Sequence, residues 1–246
     1  MDPVATEGSR MACEDAFEAV WSRARGYRGW LTEGQARLLF SCALGAPQPA
    51  RILEIGSYEG RSTVVLATAI AGTDGSVVAV DPFVDDWKYG SPTTRRSFEA
   101  HIAQAGVDGH VQLIADYSTA VRPGWSAPLD VLFIDGKHDV VTVLDDLRWA
   151  RHVRTGGVVL VHDCFSSVGV TLGVLSLLRP GSRLRYADRS GSLARFEVGS
   201  VGLVDRGRLL AQLPWWLRNL ALKLLLRARL GGVARRLGHD SPYDPY

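Results

Sequence analysis

The chain has 246 residues, 46% of them apolar and 22% charged, with a formal net charge of +2; this is the composition of a globular protein able to bury a full core, neither disordered nor fibrous. The charge is uneven, because Arg206 to Arg236 holds eight Arg or Lys and no acid, which leaves the rest of the chain at −6. Three cysteines, Cys13, Cys42 and Cys164, lack C-x-x-C spacing, which excludes a disulfide framework or zinc knuckle and fits a reducing cytosol.

The N-terminus MDPVATEGSRMACEDAFEAV has no apolar signal core, and no charge-free stretch of about twenty residues is present to span a bilayer. A cytoplasmic protein is expected, peripheral at the inner membrane face if the tail meets lipid. Residues 1–12 are expected to be disordered. Helical spacing follows at Ala16, Phe17, Val20 and Trp21 and breaks at Gly26 to Gly29. In WLTEGQARLLFSCAL, Thr32 and Gln35 form a capping box ahead of the apolar face Leu38, Leu39 and Cys42. Pro47 and Pro49 close that connection.

From Arg51 to Asp81 the chain reads as strand, tight loop, helix and second strand, a β-α-β unit with a parallel crossover. Its loop is Glu54-Ile55-Gly56-Ser57-Tyr58-Glu59-Gly60. Tyr58 stands where the backbone of a G-x-G-x-x-G fingerprint approaches a pyrophosphate, and no Gly-Lys-Ser/Thr follows as in a P-loop. A nicotinamide oxidoreductase is therefore disfavoured. A ligand with an amino acid end and a ribose suits the loop better, Asp81 accepting from the ribose hydroxyls.

Next come a polar, aromatic-rich loop and a helix over Thr93 to Ala105, then strands VQLIAD, ending on Asp116, and LDVLFID, ending on Asp135. A helix through Val143, Leu144, Leu147 and Ala150 is closed by Thr155-Gly156-Gly157, and VVLVHD is a fifth strand ending on Asp163. LRYADRSGSLARFEV reads as a hairpin around Ser190-Gly191. The whole is an α/β, Rossmann-like, doubly wound and mostly parallel seven-stranded sheet with an antiparallel edge hairpin. Four strands end on acids that would converge on one rim, with Glu54 beside them. Asp145 and Asp146 are read as surface or helix-packing residues, one of them facing solvent. Trp30, Trp87 and Tyr89 could wall an acceptor pocket or simply pack.

The element order, LEIGSYEG, VVAVDPF, and FIDGKHDVVTVLDDL with RTGGVVLVHD resemble class I S-adenosylmethionine-dependent methyltransferases. The resemblance is closest to the bacterial group of sugar and macrolide O-methyltransferases and cephalosporin hydroxylase-type proteins. It implies a methyltransferase domain over residues 30–199, after an N-terminal segment and helix (1–29) and before a basic amphipathic tail (200–246). It further implies that Glu54, Gly56, Ser57, Gly60 and Ser62 hold the methionine end of the cofactor, Asp81 the ribose, and Asp116 and Asp135 neighbouring parts. Several members bind magnesium through an acid at the fourth strand end and two adjacent acids at the fifth. The matching residues here are Asp135, His162 and Asp163. Imidazole suits manganese, iron or zinc better than magnesium, and His162 can equally act as a donor beside the ligands.

Methyl transfer to a hydroxyl needs a base or a cation that lowers the hydroxyl pKa. His138, three residues past Asp135, is placed as that base, the alternatives being a solvated loop residue or a partner of Asp139. The acceptor is expected to be a small molecule or glycan. The alternative is a non-catalytic cofactor-binding regulatory or partner protein. In the tail, Trp215 to Leu230 predicts a helix that rests on an anionic membrane surface or docks on the domain or on a second copy in a homodimer. Nucleic acid is not expected, because leucines interleave the basic residues.

Overall fold

The computed structural model of the protein describes residues 7–84, 91–236 and 238. The aromatic candidates Trp87 and Tyr89 lie outside them. Strands β1 (Arg51–Ile55), β2 (Ser76–Val80), β3 (Val111–Ile114), β4 (Leu129–Ile134), β5 (Val153–Val161), β6 (Leu184–Ser190) and β7 (Leu193–Val198) make a seven-stranded sheet in the order β3-β2-β1-β4-β5-β7-β6. β1, β2 and β3 run parallel, with Leu53 opposite Val78 and Val78 opposite Gln112, while β5 and β6 flank β7 antiparallel. This is the expected doubly wound α/β sheet with its edge hairpin. Contacts divide the chain into two compact units, Met1–Val131 and Leu132–Tyr246.

In the first unit, helices α1 (Glu7–Ala24) and α2 (Glu33–Leu44) precede β1, and α3 (Arg61–Ala69), α4 (Pro92–Ala105) and α5 (Ser118–Val121) follow in turn. β1 and β2 are buried at four of five positions each, as expected of parallel strands covered on both faces. Phe17 of α1 meets Phe40 of α2 edge-on at 5.6 Å, a core contact set by the apolar spacing of both helices. The capping box of α2 forms as predicted: Thr32 Oγ1 accepts from the Gln35 amide, and the Gln35 side chain accepts from the Thr32 amide at 2.8 Å. Residues 1–6, half of the stretch expected to be disordered, lie outside the described residues, whereas α1 already begins at Glu7, so the second half is helical.

In the second unit, α6 (Val140–Asp146) passes into a 3-10 segment, Leu147–His152, and α7 (Val168–Leu175) precedes the β6–β7 hairpin. One expectation is corrected here. Thr155-Gly156-Gly157 does not close a helix but lies inside β5, with Gly156 at φ +83°. The helical turns have ended by His152, so the glycine pair shapes an irregular strand start instead of a cap. Nor does either acid of the pair face solvent freely: Asp146 is buried, and Asp145 pairs with Arg148 at 2.5 Å. The tail folds as α8 (Leu203–Leu210), α9 (Leu213–Arg227) and α10 (Gly231–Arg236). Among the described residues no helix is long and apolar enough to cross a membrane, and no disulfide joins the cysteines.

Candidate active site

Two groups of residues carry the chemistry that the sequence singles out, one in each unit. In the first unit the loop between β1 and α3 turns through left-handed backbone at Gly56 (φ +85°), Tyr58 (φ +48°) and Gly60 (φ +84°). Gly60 is required twice over, by its φ and by the Phe98 ring, which would stand 3.1 Å from an added Cβ. Asp81, just past β2, holds the loop: its Oδ2 accepts from the amides of Ser57 and Tyr58 at 2.9 Å each, and its Oδ1 from the amide of Phe83 at 2.8 Å. Glu54 is fully buried and accepts from Ser62 Oγ at 2.5 Å and from Thr63 Oγ1, which ties β1 to the first turn of α3.

These contacts are internal, yet the loop keeps groups for a ligand. No side chain caps α3 at Gly60, which leaves first-turn N–H groups to an incoming acceptor. Ser57 is 2% exposed, and its Oγ has no hydrogen-bond partner among the described residues, an orphan of the kind that a polar ligand satisfies. Asp116 is exposed and accepts from the Tyr117 amide at 2.7 Å. Trp30 lies beside Tyr58, ring centroids 5.3 Å apart, and is 47% exposed. The residues therefore fit a cofactor with polar ends.

The second unit brings together Asp135, His138, His162 and Asp163. His138 Nδ1 stands 3.2 Å from Asp163 Oδ2, and its Nε2 stands 3.6 Å from Asp135 Oδ1. His162 is buried, with Nδ1 3.3 Å from Asp135 Oδ1 and 3.7 Å from Asp163 Oδ1. Its amide donates to Ile134 O at 2.9 Å, which sets the two strand ends side by side. Asp139, weighed as a partner of His138, instead caps α6 by accepting from the Thr142 amide and hydroxyl at 3.0 and 2.8 Å. Asp163 and Phe165 both sit at left-handed φ (+57° and +58°), strained backbone held by the Ser166 and Ser167 amides donating to Asp163 O.

Charge governs this cluster. Burial works against an ionised Asp135, but His162 and then His138 outweigh it and hold the carboxyl at about 2. Burial likewise opposes a charged His162, but Asp135 and Asp163 push it up to about 10. His138 is raised above 6.5, with burial outweighed by Asp135 and Asp163. Ligand atoms of Asp135, His138 and Asp163 lie within 4.8 Å of one another. The resemblance implies His162 as the ligand between the two acids, and His162 does stand beside both. In the fold, His138 completes that compact set. Two carboxylates and an imidazole fit a cation that takes mixed oxygen and nitrogen donors, manganese, iron or zinc before magnesium.

Sequence reasoning missed two glycines. A Cβ on Gly169 would fall 2.1 Å from His138 O, and one on Gly173 would fall 2.6 Å from Val143 Cγ1. α7 thus presses a G-x-x-x-G face against the start of α6 and fixes the backbone of His138. The spacing GVTLG was the available signal. A cavity of 370 Å³ elsewhere in the second unit, rimmed by Arg148, Arg151, Arg179 and Arg183, contains none of the candidate residues.

Residues 53–164 match the family described as Methyltransferase domain. A catechol O-methyltransferase of Mycobacterium tuberculosis (strain ATCC 25618 / H37Rv) is 31% identical over 134 residues, 53% of this chain and 56% of that protein, so the match spans little more than half the length of this curated relative. Two solved structures share the fold. A methyltransferase of Podospora anserina bound to SAH (S-adenosylhomocysteine) is 17% identical, with a TM-score of 0.58 over 81% of this chain and 99% of that one. An O-methyltransferase of Bacillus cereus in complex with SAH is 20% identical, with a TM-score of 0.55 over 74% and 90%.

Proposed function

The chain carries a domain of the class I S-adenosylmethionine-dependent methyltransferases, and from that premise we propose that it is an O-methyltransferase acting on a hydroxyl of a sugar, glycolipid or secondary metabolite. In this reading Gly56, Ser57, Gly60 and Ser62, braced by Glu54, receive the methionine end of the cofactor. Asp81 receives the ribose and Asp116 the adenine side. Asp81 already accepts three amides, but a carboxylate has about four acceptor sites and retains capacity for a hydroxyl.

The observation that carries the reading is His138 held between Asp135 and Asp163. The acceptor oxygen forms a bond to the methyl carbon as the carbon–sulfur bond breaks in line; the sulfonium keeps the electron pair and becomes a neutral thioether. The hydroxyl proton passes to neutral His138. Asp163 at Nδ1 fixes the ring and stabilises the imidazolium that forms, and Asp135 at Nε2 is placed to orient the acceptor hydroxyl. Sugars and the catechol of the relative's name share adjacent hydroxyl pairs, so a vicinal diol is the favoured acceptor.

The compact donor set supports a second reading, in which Asp135, His138 and Asp163 hold a divalent cation that supplies positive charge beside the hydroxyl. His138 is then a ligand and not a base. Metal analysis after dialysis against a chelator separates the two, because the base reading keeps turnover without metal. The proposed function is tested by calorimetry with SAH against NAD and by mass-spectrometric search for a gain of one CH2 on vicinal-diol glycans and phenols. Tight NAD binding without SAH binding overturns it, and SAH binding with no methylated product across the panel supports a regulatory protein.

A further inference from the structure

Seven large apolar side chains stand exposed within the 31 residues from Leu203 to Val233, against eight in all the other described residues: Leu203, Val204, Leu210, Leu217, Leu224, Leu230 and Val233. Such a concentration marks a contact surface. α9 explains how it arises. One face of the helix docks on the second unit: Asn219 is buried and donates to Phe165 O at 2.8 Å, Leu222 is fully buried, and Lys223 Nζ reaches Ser166 Oγ at 3.4 Å. Arg189 and Arg218 stand over the Trp215 ring at 4.3 and 5.0 Å.

At about 100° per residue, Leu217, Ala221, Leu224 and Ala228 fall on the opposite face. All four are exposed, Leu217 by 62% and Leu224 by 67%. Arg218 flanks this stripe on one side, and Lys223 and Arg227 on the other; Arg229 follows past the helix end. The helix is thus apolar on two faces with cations at the seams, an arrangement in which basic side chains reach headgroups while leucines enter the acyl boundary.

We infer that the outer face of α9, with the exposed ends of α8 and α10, is a docking surface for an anionic lipid bilayer. Charge selects this occupant over a second copy. A two-fold interface sets a patch against itself, and the segment from Leu203 to Arg236 has eight cations against one carboxylate, Asp205, whose Oδ2 already accepts from the Gly202 amide. Anionic headgroups complement the same charges. Because α9 is held to the unit through Asn219 and Leu222, it would lie along the bilayer without leaving the protein.

The test is co-sedimentation of the full chain with vesicles of phosphatidylcholine containing phosphatidylglycerol, compared with phosphatidylcholine alone. The wild type is expected to pellet with the anionic vesicles only, and less as salt rises from about 0.1 to 0.5 M. L217E/L224E should bind at least about tenfold more weakly, with an unchanged thermal melt, since both side chains are exposed. Equal pelleting of wild type and L217E/L224E, or none of either, overturns the inference. So does a dimer in light scattering that L217E/L224E dissolves, which assigns the face to a second copy.

Discussion

The loop of the first unit and the cluster of the second are each built around acids, but the acids do opposite work. Asp81 and Glu54 spend their oxygens on protein amides and hydroxyls, neutral partners that fix a backbone shape. Asp135 and Asp163 face two imidazoles, so their partners can gain or lose charge. Under the proposed function this difference is a division of labour: the loop receives the cofactor, and proton chemistry belongs to the cluster.

The largest expected effect tests the charged side. His162→Ala leaves buried Asp163 and partly exposed Asp135 with His138 alone and should lower unfolding free energy by about 3 kcal/mol, the lower end for a broken buried pair, read by urea denaturation. A loss below about 1 kcal/mol would mean that the cluster is held by packing and not by charge. Next, His138→Ala should lower turnover by about 10²-fold or more while SAH affinity stays within about threefold; parallel losses of both would erase the division. On the loop side, Asp81→Ala should weaken SAH binding by about tenfold or more, through a released loop and a lost ribose acceptor, with turnover at saturating cofactor little changed.

The smallest effects are graded ones. His138 is raised above 6.5 and must be neutral to act as base, so turnover should climb with pH through a value above 6.5, and the limb should move to lower pH in Asp135→Asn. Stability should run the other way. His162, raised from 6.5 to about 10, gives its full stabilisation below 6.5 and loses it as pH rises towards about 10. Asp135, lowered from 3.8 to about 2, stabilises above 3.8 and loses this as pH falls towards about 2. Thermal melts across pH should therefore peak between these limits; a melt that rose from neutral to alkaline pH would contradict the charged His162.

Periodicity and turn chemistry made much of the fold legible. β1 and β2 span the stretches read from β-formers, the Thr32–Gln35 box caps α2, and the hairpin turns at Gly191 and Ser192. What escaped was decided by tertiary neighbours. Gly156 looks like a helix terminator in isolation, yet it lies inside β5, whose partner β7 comes far along the chain. Gly169 is a small residue among others until α7 meets His138 O. The acids of the site were visible because they sit at strand ends. That His138 would join them together with His162 was not, because a spacing of three residues in a loop does not set a ring's direction.

Arg61 opens α3, and its guanidinium gathers the carbonyls of Arg25, Tyr27, Gly29 and Leu31. Four acceptors from one short connection make this side chain a clasp between the α1–α2 connection and the β1–α3 loop. A protein trimmed at residue 30 would lose three of those carbonyls and strand a cation beside Gly60. The connection from α1 to α2 is thus part of what holds the β1–α3 loop, and a fragment that keeps the whole clasp starts before Arg25.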